Sequence, residues 1–341
     1  MTATDEEQPA LEVLEPGLMS TIQDLGRPES TDLAVPVGGA CDRWSLAVAN
    51  VLVGNDVGAA AIEMTLVGPT LRVNRTTKIG LAGADLGGIV RTSGARLEPG
   101  RVHVLEAGMT IAFPGSESGG ARAYLAIPGA FDVPLVLGSA STLVSAALGG
   151  MDGRPLVAGD RLSTRTAPGG GPRPGALDTR VWPVLPDDPL AEAGDGPKEI
   201  RVVGGPSPGI DDLAAGRWRV AAGSDRVGLR LDGAAIGGPG RGELLSHGVV
   251  DGALQLPPDG RPVVLLADHQ TTGGYPVIGV VINADLPLLG QLRPGADVRF
   301  RRVELAEARA ALIARDTAFR RATAAVREAG DWDDLWRSAG G

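Results

Sequence analysis

The apolar residues of this chain come in short bursts, and that punctuation limits the folds open to it. Ile79–Ala82, Arg122–Ile127, Ile200–Val203, Pro262–Ala267 and Val277–Ile282 are rich in Val, Ile and Leu. Gly, Pro, Asp or Asn bounds such runs at intervals of roughly 8–15 residues, the spacing of strands in sandwiches and barrels. Regular strand–helix alternation is missing, which argues against a doubly wound nucleotide fold. The breaks come from 51 glycines and 26 prolines among 341 residues. With 43% hydrophobic residues the chain can still fill a sizeable core, so these breaks read as turns rather than disorder, in one or two domains. The expected class is mainly β, with few helices.

Charge and rare residues exclude several functions. The net charge of -9 does not suit a general nucleic-acid binder or a polybasic membrane-surface protein. Cys41 is the sole cysteine, so no internal disulfide is expected, and a reducing compartment, the cytoplasm, is the simpler expectation. The two lysines, Lys78 and Lys198, follow neither a glycine-rich phosphate loop nor a Met. A Walker-type ATP site and a Met-Lys biotin attachment site are therefore not expected in this chain. The N-terminal MTATDEEQPA is acidic and lacks the apolar stretch of a secretory signal. The uncharged region Val133–Met151 contains Pro134, glycines and hydroxyl residues, which argue against a membrane span.

Two helices stand out. Asp42 suits an N-cap, Trp44, Val48, Val51 and Leu52 share a face, and Gly54 stands where a terminating glycine belongs. A second helix is expected from near Glu304 to about Glu328, with Leu305, Ala308, Leu312, Phe319, Ala322 and Val326 at helical spacing. It would pack along a domain edge or receive a partner. Trp332, Leu335 and Trp336 form an apolar face in the tail that follows. The Gly/Pro-rich segment 166–197 reads as a linker. It separates an N-terminal β domain with one helix, 11–165, from a C-terminal β domain, 198–303, and a helix and tail, 304–341.

The histidines, His103, His247 and His269, do not pair at metal-ligand spacing, so no metal site is expected. What carries chemistry is a set of glycine-bordered polar loops. Gln23, Asp24 and Arg27 gather in one turn, and Arg226 lies in another. In a third, Asp268, His269, Gln270, Thr271 and Thr272 follow the apolar run PVVLLA, and Gly273 and Gly274 then permit close backbone approach to a ligand. Ser246 and His247 are adjacent on an extended segment and point to opposite faces, so His247 is expected to act without Ser246.

Taken together these loops resemble the family of C-type subunits of bacterial ATP-dependent 5-oxoprolinases, also called KipA-like or allophanate hydrolase subunit 2 proteins, with the carboxyltransferase region of urea carboxylase as a relative. The resemblance spans about Leu11–Val303. It rests on QDLGR at 23–27, DR at 42–43, LVGND at 52–56, AIEMTL at 61–66, RAYLAIPG at 122–129 and LGSAST at 137–142. It continues through the GR, AGD and L elements within 153–162, ELLSHG at 243–248, the Q and PPDG elements within 255–262, QTTGGYP at 270–276 and PLLGQL at 287–292. Three features depart from the family pattern, and a fourth position is variable in it. Ala130 replaces the second glycine of a pair, and Ala140 stands where many members carry Arg. Gly205-Pro206 lacks a following Phe, for which Ile210 or Leu213 would substitute. Residue 269 varies, so His269 receives no catalytic role.

The resemblance implies cyclophilin-like β-barrel domains and a subunit, inactive alone, of a complex opening 5-oxoproline to glutamate with ATP as co-substrate. The implied partners are a KipI-like subunit (the B-type component, or allophanate hydrolase subunit 1) and a LamB/YcsF-like subunit. At the positions it picks out, residue chemistry suggests His247, Asp268 and Asp24 as proton-transfer or orienting groups and Arg27 and Arg226 as anion binders. Gln270, Thr271, Thr272, Gly273, Gly274 and Tyr275 would position the substrate. Two alternatives stand beside this reading. One is the carboxyltransferase component of a biotin-dependent urea or amide carboxylase, with biotin on another protein. The other is a regulatory KipA-like protein that antagonises a KipI-like kinase inhibitor.

Overall fold

The computed structural model describes residues 9–117, 119–165, 178, 180–183, 196–237 and 244–338, with side chains through residue 329. Most of the 166–197 linker expectation lies outside the described residues. The chain divides into two compact units that are not contiguous in sequence. The first comprises Met1–Gly26, Arg43–Pro186 and Phe319–Gly341; the second comprises Arg27–Asp42 and Asp187–Ala318.

Among the described residues, the first unit is built from ten short strands. In chain order they are β1 (Leu11–Glu15), β2 (Met19–Gln23), β3 (Ala61–Thr65), β4 (Thr70–Val73), β5 (Thr77–Gly83), β6 (Ile89–Val90), β7 (Arg101–Leu105), β8 (Thr110–Ala112), β9 (Arg122–Ala126) and β10 (Arg161–Leu162). They form two five-stranded sheets, β10-β1-β4-β8-β6 and β2-β3-β9-β5-β7. Alternation along the strands explains why the sheets face each other. Leu11, Val13, Leu71, Val73 and Ile111 from one sheet share a single buried core with Ile62, Met64, Ile79, Leu81, Ala123 and Leu125 from the other. Residues on the opposite face of β3 and β9 are buried too, and they form a polar cluster. Tyr124 Oη donates to Glu63 Oε2 at 2.7 Å, and Arg122 Nε lies 3.5 Å from Glu63 Oε1.

Helix α1 (Arg43–Leu52) is buried from Trp44 to Leu52, beyond the single face its sequence marks, and Gly54 after it has φ +82°, as a C′ glycine requires. Trp44 meets Phe319 edge-on at 5.0 Å, and Trp182 completes the trio 5.3 Å from Phe319.

The second unit contains β11 (Lys198–Gly204), β12 (Trp218–Val220), β13 (Gly228–Asp232), β14 (His247–Gly248), β15 (Ala253–Gln255), β16 (Val263–Leu265), β17 (Thr272–Gly273), β18 (Val277–Val281) and β19 (Asp297–Arg302). Seven of them close a barrel in the order β11-β18-β15-β16-β13-β12-β19. Its β11–β19 pair is parallel and its other pairs are antiparallel. Closure removes exposed edges from strands as short as three residues. Helix α2 (Ile210–Ala215) buries Leu213 in the barrel core and packs Ile210 against it. Helix α3 is Leu286–Gln291. The remaining strands, β14 and β17, form a two-stranded ribbon.

Helix α4 (Leu305–Ser338) starts where expected but runs past Glu328 through the stretch expected to be a tail. It does so through Gly330 and three aspartates, residues of low helix propensity, so propensity alone does not account for the extension. The side chains of Trp332, Leu335 and Trp336 lie outside the described residues. Ala308 and Ala311 of α4 pack on Ile282, Ala284 and Val303 in the second unit, and Ala322 and Val326 are buried. Among the described residues no helix is long and apolar enough to cross a membrane.

Candidate functional site

The sequence-predicted residues fall into different surroundings. Asp24 belongs to the first unit. Its carboxylate accepts from the Ser139 hydroxyl and the Ala140 amide at 2.7 Å each, from the Gly26 amide at 2.7 Å, and from the Ser141 hydroxyl. Neighbouring Gln23 donates from Nε2 to the Thr142 carbonyl at 3.0 Å, and the Thr142 amide donates to Ile22 O at 2.9 Å. The QDLGR and LGSAST motifs therefore meet as one buried, hydroxyl-rich junction. At position 140 it is the backbone amide that Asp24 uses, so the Ala side chain leaves this junction intact.

Arg27, Arg226 and Asp268 belong to the second unit and converge there. Arg226 donates from Nε to Asp268 Oδ2 at 2.8 Å and from Nη2 to Asp268 Oδ1 at 2.9 Å, a bidentate pair with both partners buried. The same guanidinium donates from Nη2 to the Gly39 carbonyl at 2.6 Å and from Nη1 to Cys41 Sγ at 3.4 Å. The Gly38 amide donates to Ala267 O at 2.9 Å, which seats the loop from 38 to 41 on the end of the apolar run leading to Asp268. Gly38 has φ +65°, and a methyl there would lie 3.2 Å from Arg27 Nη1 and 3.8 Å from Asp268 Oδ1. Gly38 thus marks the spot where Arg27 approaches the Asp268 carboxylate that Arg226 grips. Gln291 of the PLLGQL motif donates from Nε2 to Asp42 Oδ2 at 2.7 Å, which fastens the loop's far end.

The strip continues from Asp268. His269 sits with Nε2 3.1 Å from Asp251 Oδ1 and Nδ1 2.5 Å from its neighbour's carbonyl, Gln270 O. That pairing supplies a structural reason for its burial. Gln270 donates from Nε2 to Gln255 Oε1 at 3.2 Å. Thr272 and Gly273 form β17, whose register sets Gly273 opposite His247 and Thr272 opposite Gly248. Thr271 O accepts from the Val249 amide and Gly274 O from the Leu244 amide, so both use their backbone to hold the ribbon. Tyr275 is exposed at its end. Sequence reasoning misses two parts of this site. Gln255 stands out there only as an element of the family resemblance, and the loop from 38 to 41 is not singled out.

A further motif finds its role away from this site. Arg154 and Asp160 form a bidentate pair at 2.8 Å in the first unit. Burial raises the Asp160 carboxyl, but the hydrogen bonds from Arg154 and the Val157 amide outweigh it and hold the group below the usual carboxylate range. Among the described residues no group of three or more His, Cys, Asp or Glu side chains could hold a metal ion.

The chain is similar to known proteins over most of its length. Residues 33–302 match the family model described as carboxyltransferase domain, subdomain A and B. The chain is 33% identical over 309 residues to the C-type subunit of 5-oxoprolinase from Escherichia coli (strain K12), covering 87% of this chain and 93% of that protein. It is 34% identical over 320 residues to urea amidolyase of Lachancea kluyveri, covering 85% of this chain and 17% of that protein. The crystal structure of the Kluyveromyces lactis urea carboxylase superposes with a TM-score of 0.80 at 28% identity, covering 94% of this chain and 30% of that one. The chain therefore belongs to the carboxyltransferase-domain family that includes the C-type subunit of 5-oxoprolinase and the corresponding regions of urea amidolyases.

Proposed function

We propose that this chain is the C-type subunit of an ATP-dependent 5-oxoprolinase, acting in the cytoplasm beside a KipI-like subunit and a LamB/YcsF-like subunit. The observation that carries the proposal is the buried Arg27–Arg226–Asp268 assembly around Gly38. Opening an unactivated lactam breaks the ring C–N bond: ATP phosphorylates the carbonyl oxygen, water adds to the activated carbon with negative charge developing on oxygen, the ring nitrogen leaves as the amine, and the acyl phosphate is hydrolysed to carboxylate and phosphate. A low-dielectric site with fixed cationic donors stabilises such charge. Arg226 commits its donors to Asp268, Gly39 and Cys41, so it acts as a positioning residue for the loop rather than as a direct anion binder. Arg27, held at the same loop, is the cation assigned to substrate charge. Asp24 organises its junction through four accepted hydrogen bonds. Coverage of 93% of the Escherichia coli C-type subunit supports this reading over a carboxylase fragment.

The test is 5-oxoproline-dependent ATP hydrolysis by the three co-purified subunits. Turnover that needs this chain, and is lost with Asp268→Ala, is the expected result. No turnover with all three present would overturn the proposal, and a stable complex without turnover would favour the regulatory KipA-like reading. A second reading is carboxyl transfer to urea or an amide, supported by the likeness to urea carboxylase. Biotin would then reside on another protein, and its carboxylated form would be the donor to assay.

A further inference from the structure

The ribbon covers two polar atoms that have no hydrogen-bond partner. Gln255 is 3% exposed, and its Nε2 is enclosed without a hydrogen bond. The Nε2 of His247 is likewise enclosed and unbonded. Leaving buried polar groups unmatched is costly, so their presence together needs a reason.

Geometry brings them to one place. A methyl at Gly273 would sit 2.2 Å from Gln255 Nε2 and 3.4 Å from Gln270 Nε2. Gly273 pairs directly with His247 across the antiparallel ribbon. Residues directly opposite in such a pair project from the same face, with Cβ positions about 4.5–5.5 Å apart. The Gln255 carboxamide and the His247 side chain therefore share the face that Gly273 leaves open.

Their hydrogen-bonding roles follow from their other contacts. Gln255 Oε1 already accepts from Gln270, so Gln255 Nε2 is the outward donor. His247 Nδ1 faces the Leu245 carbonyl at 3.3 Å and is assigned the proton, so Nε2 presents a lone pair. One donor beside one acceptor complements a group that offers C=O and N–H on the same edge.

We infer that Gln255 and His247 form a binding site for a cis-amide edge, the edge shared by a lactam and a ureido group. The carbonyl accepts from Gln255 Nε2, and the N–H donates to His247 Nε2. The lactam as occupant rests on the 5-oxoprolinase reading; the edge itself does not. Because neither atom meets water with the ribbon in place, the ligand enters as the ribbon lifts.

The experiment is ligand-observed NMR on the full chain, alone and with its co-purified partners. The probes are 5-oxoproline, 2-pyrrolidinone, N-methyl-2-pyrrolidinone and 2-imidazolidinone. Saturable binding of the N–H compounds, weakened about tenfold or more by N-methylation, is expected. Gln255→Leu, His247→Phe and Gly273→Ala should each weaken it by about the same factor, with circular dichroism reporting the fold. Equal binding of the N-methyl lactam, or no saturable binding of any N–H probe, overturns the inference. Because that comparison uses the unaltered chain, it decides even if a variant misfolds. Preference for 2-imidazolidinone over both lactams would keep the site and remove the 5-oxoprolinase reading. Turnover of 5-oxoproline undiminished in Gln255→Leu would do the reverse.

Discussion

Asp24 and Asp268 are both buried aspartates at glycine-bordered turns, yet they are held in opposite ways. Asp24 is ligated by two hydroxyls and two amides, all neutral. Asp268 is ligated by a guanidinium that is itself buried. The first arrangement spreads one negative charge over many weak dipoles and fixes a backbone junction. The second concentrates charge and fixes a side chain that in turn holds a loop. Sequence context makes the two look alike; only the partners distinguish a staple from a charged scaffold.

The sharpest way to break this contrast is Asp268→Ala. It leaves Arg226 buried without its carboxylate, and a loss of about 3–5 kcal/mol in denaturant unfolding is expected. Activity of the reconstituted complex should disappear with it. Asp24→Ala removes acceptors without stranding a charge. We expect about 2–3 kcal/mol, read in the same unfolding experiment. A loss equal to that of Asp268→Ala would show that the difference in ligand charge has no energetic weight.

Gly38→Ala tests the point where the charged scaffold is tightest. The positive φ and the 3.2 Å approach to Arg27 should cost about 1–2 kcal/mol. A larger fall in kcat/KM than this stability loss accounts for would place the loop in the reaction. The mildest test uses Arg154–Asp160, which repeats the bidentate chemistry with Arg154 partly exposed. Here Asp160→Asn should cost about 1 kcal/mol at neutral pH. The native carboxyl is depressed below its ordinary value of 3.8, so its stabilisation is present above that pH and is lost as acid carries the protein through the folded-state value. Thermal melts of both proteins from pH 7 downward should therefore converge on acidification.

Much of the architecture is legible in residue order. The strands around Ile79, Arg122, Ile200, Val263 and Val277 all appear, because alternation and flanking turns are local properties. Helix α1 and the start of α4 are legible for the same reason. The far end of α4 is not, since Gly330 reads as a stop just after Glu328 and the aromatic face beyond it suggests a separate piece, yet the helix continues through both. The site is legible as residue types but not as pairs. Arg226 and Asp268 are 42 positions apart, at the same end of the neighbouring strands β13 and β16, and no spacing rule reveals that pairing. Gln255 lies inside a motif whose prolines and glycine signal only a turn. Its importance arises from lacking a partner, which is visible in three dimensions alone.

The discontinuous units have a consequence for how the protein is made. The ribosome delivers Gly39 early, but the guanidinium that grips its carbonyl emerges 187 residues later. Trp44 likewise waits for Phe319. Neither unit can be completed by its own first segment, because each draws residues from later in the chain. Such long sequence separations slow folding, because loop closure must be met before the contacts that reward it can form.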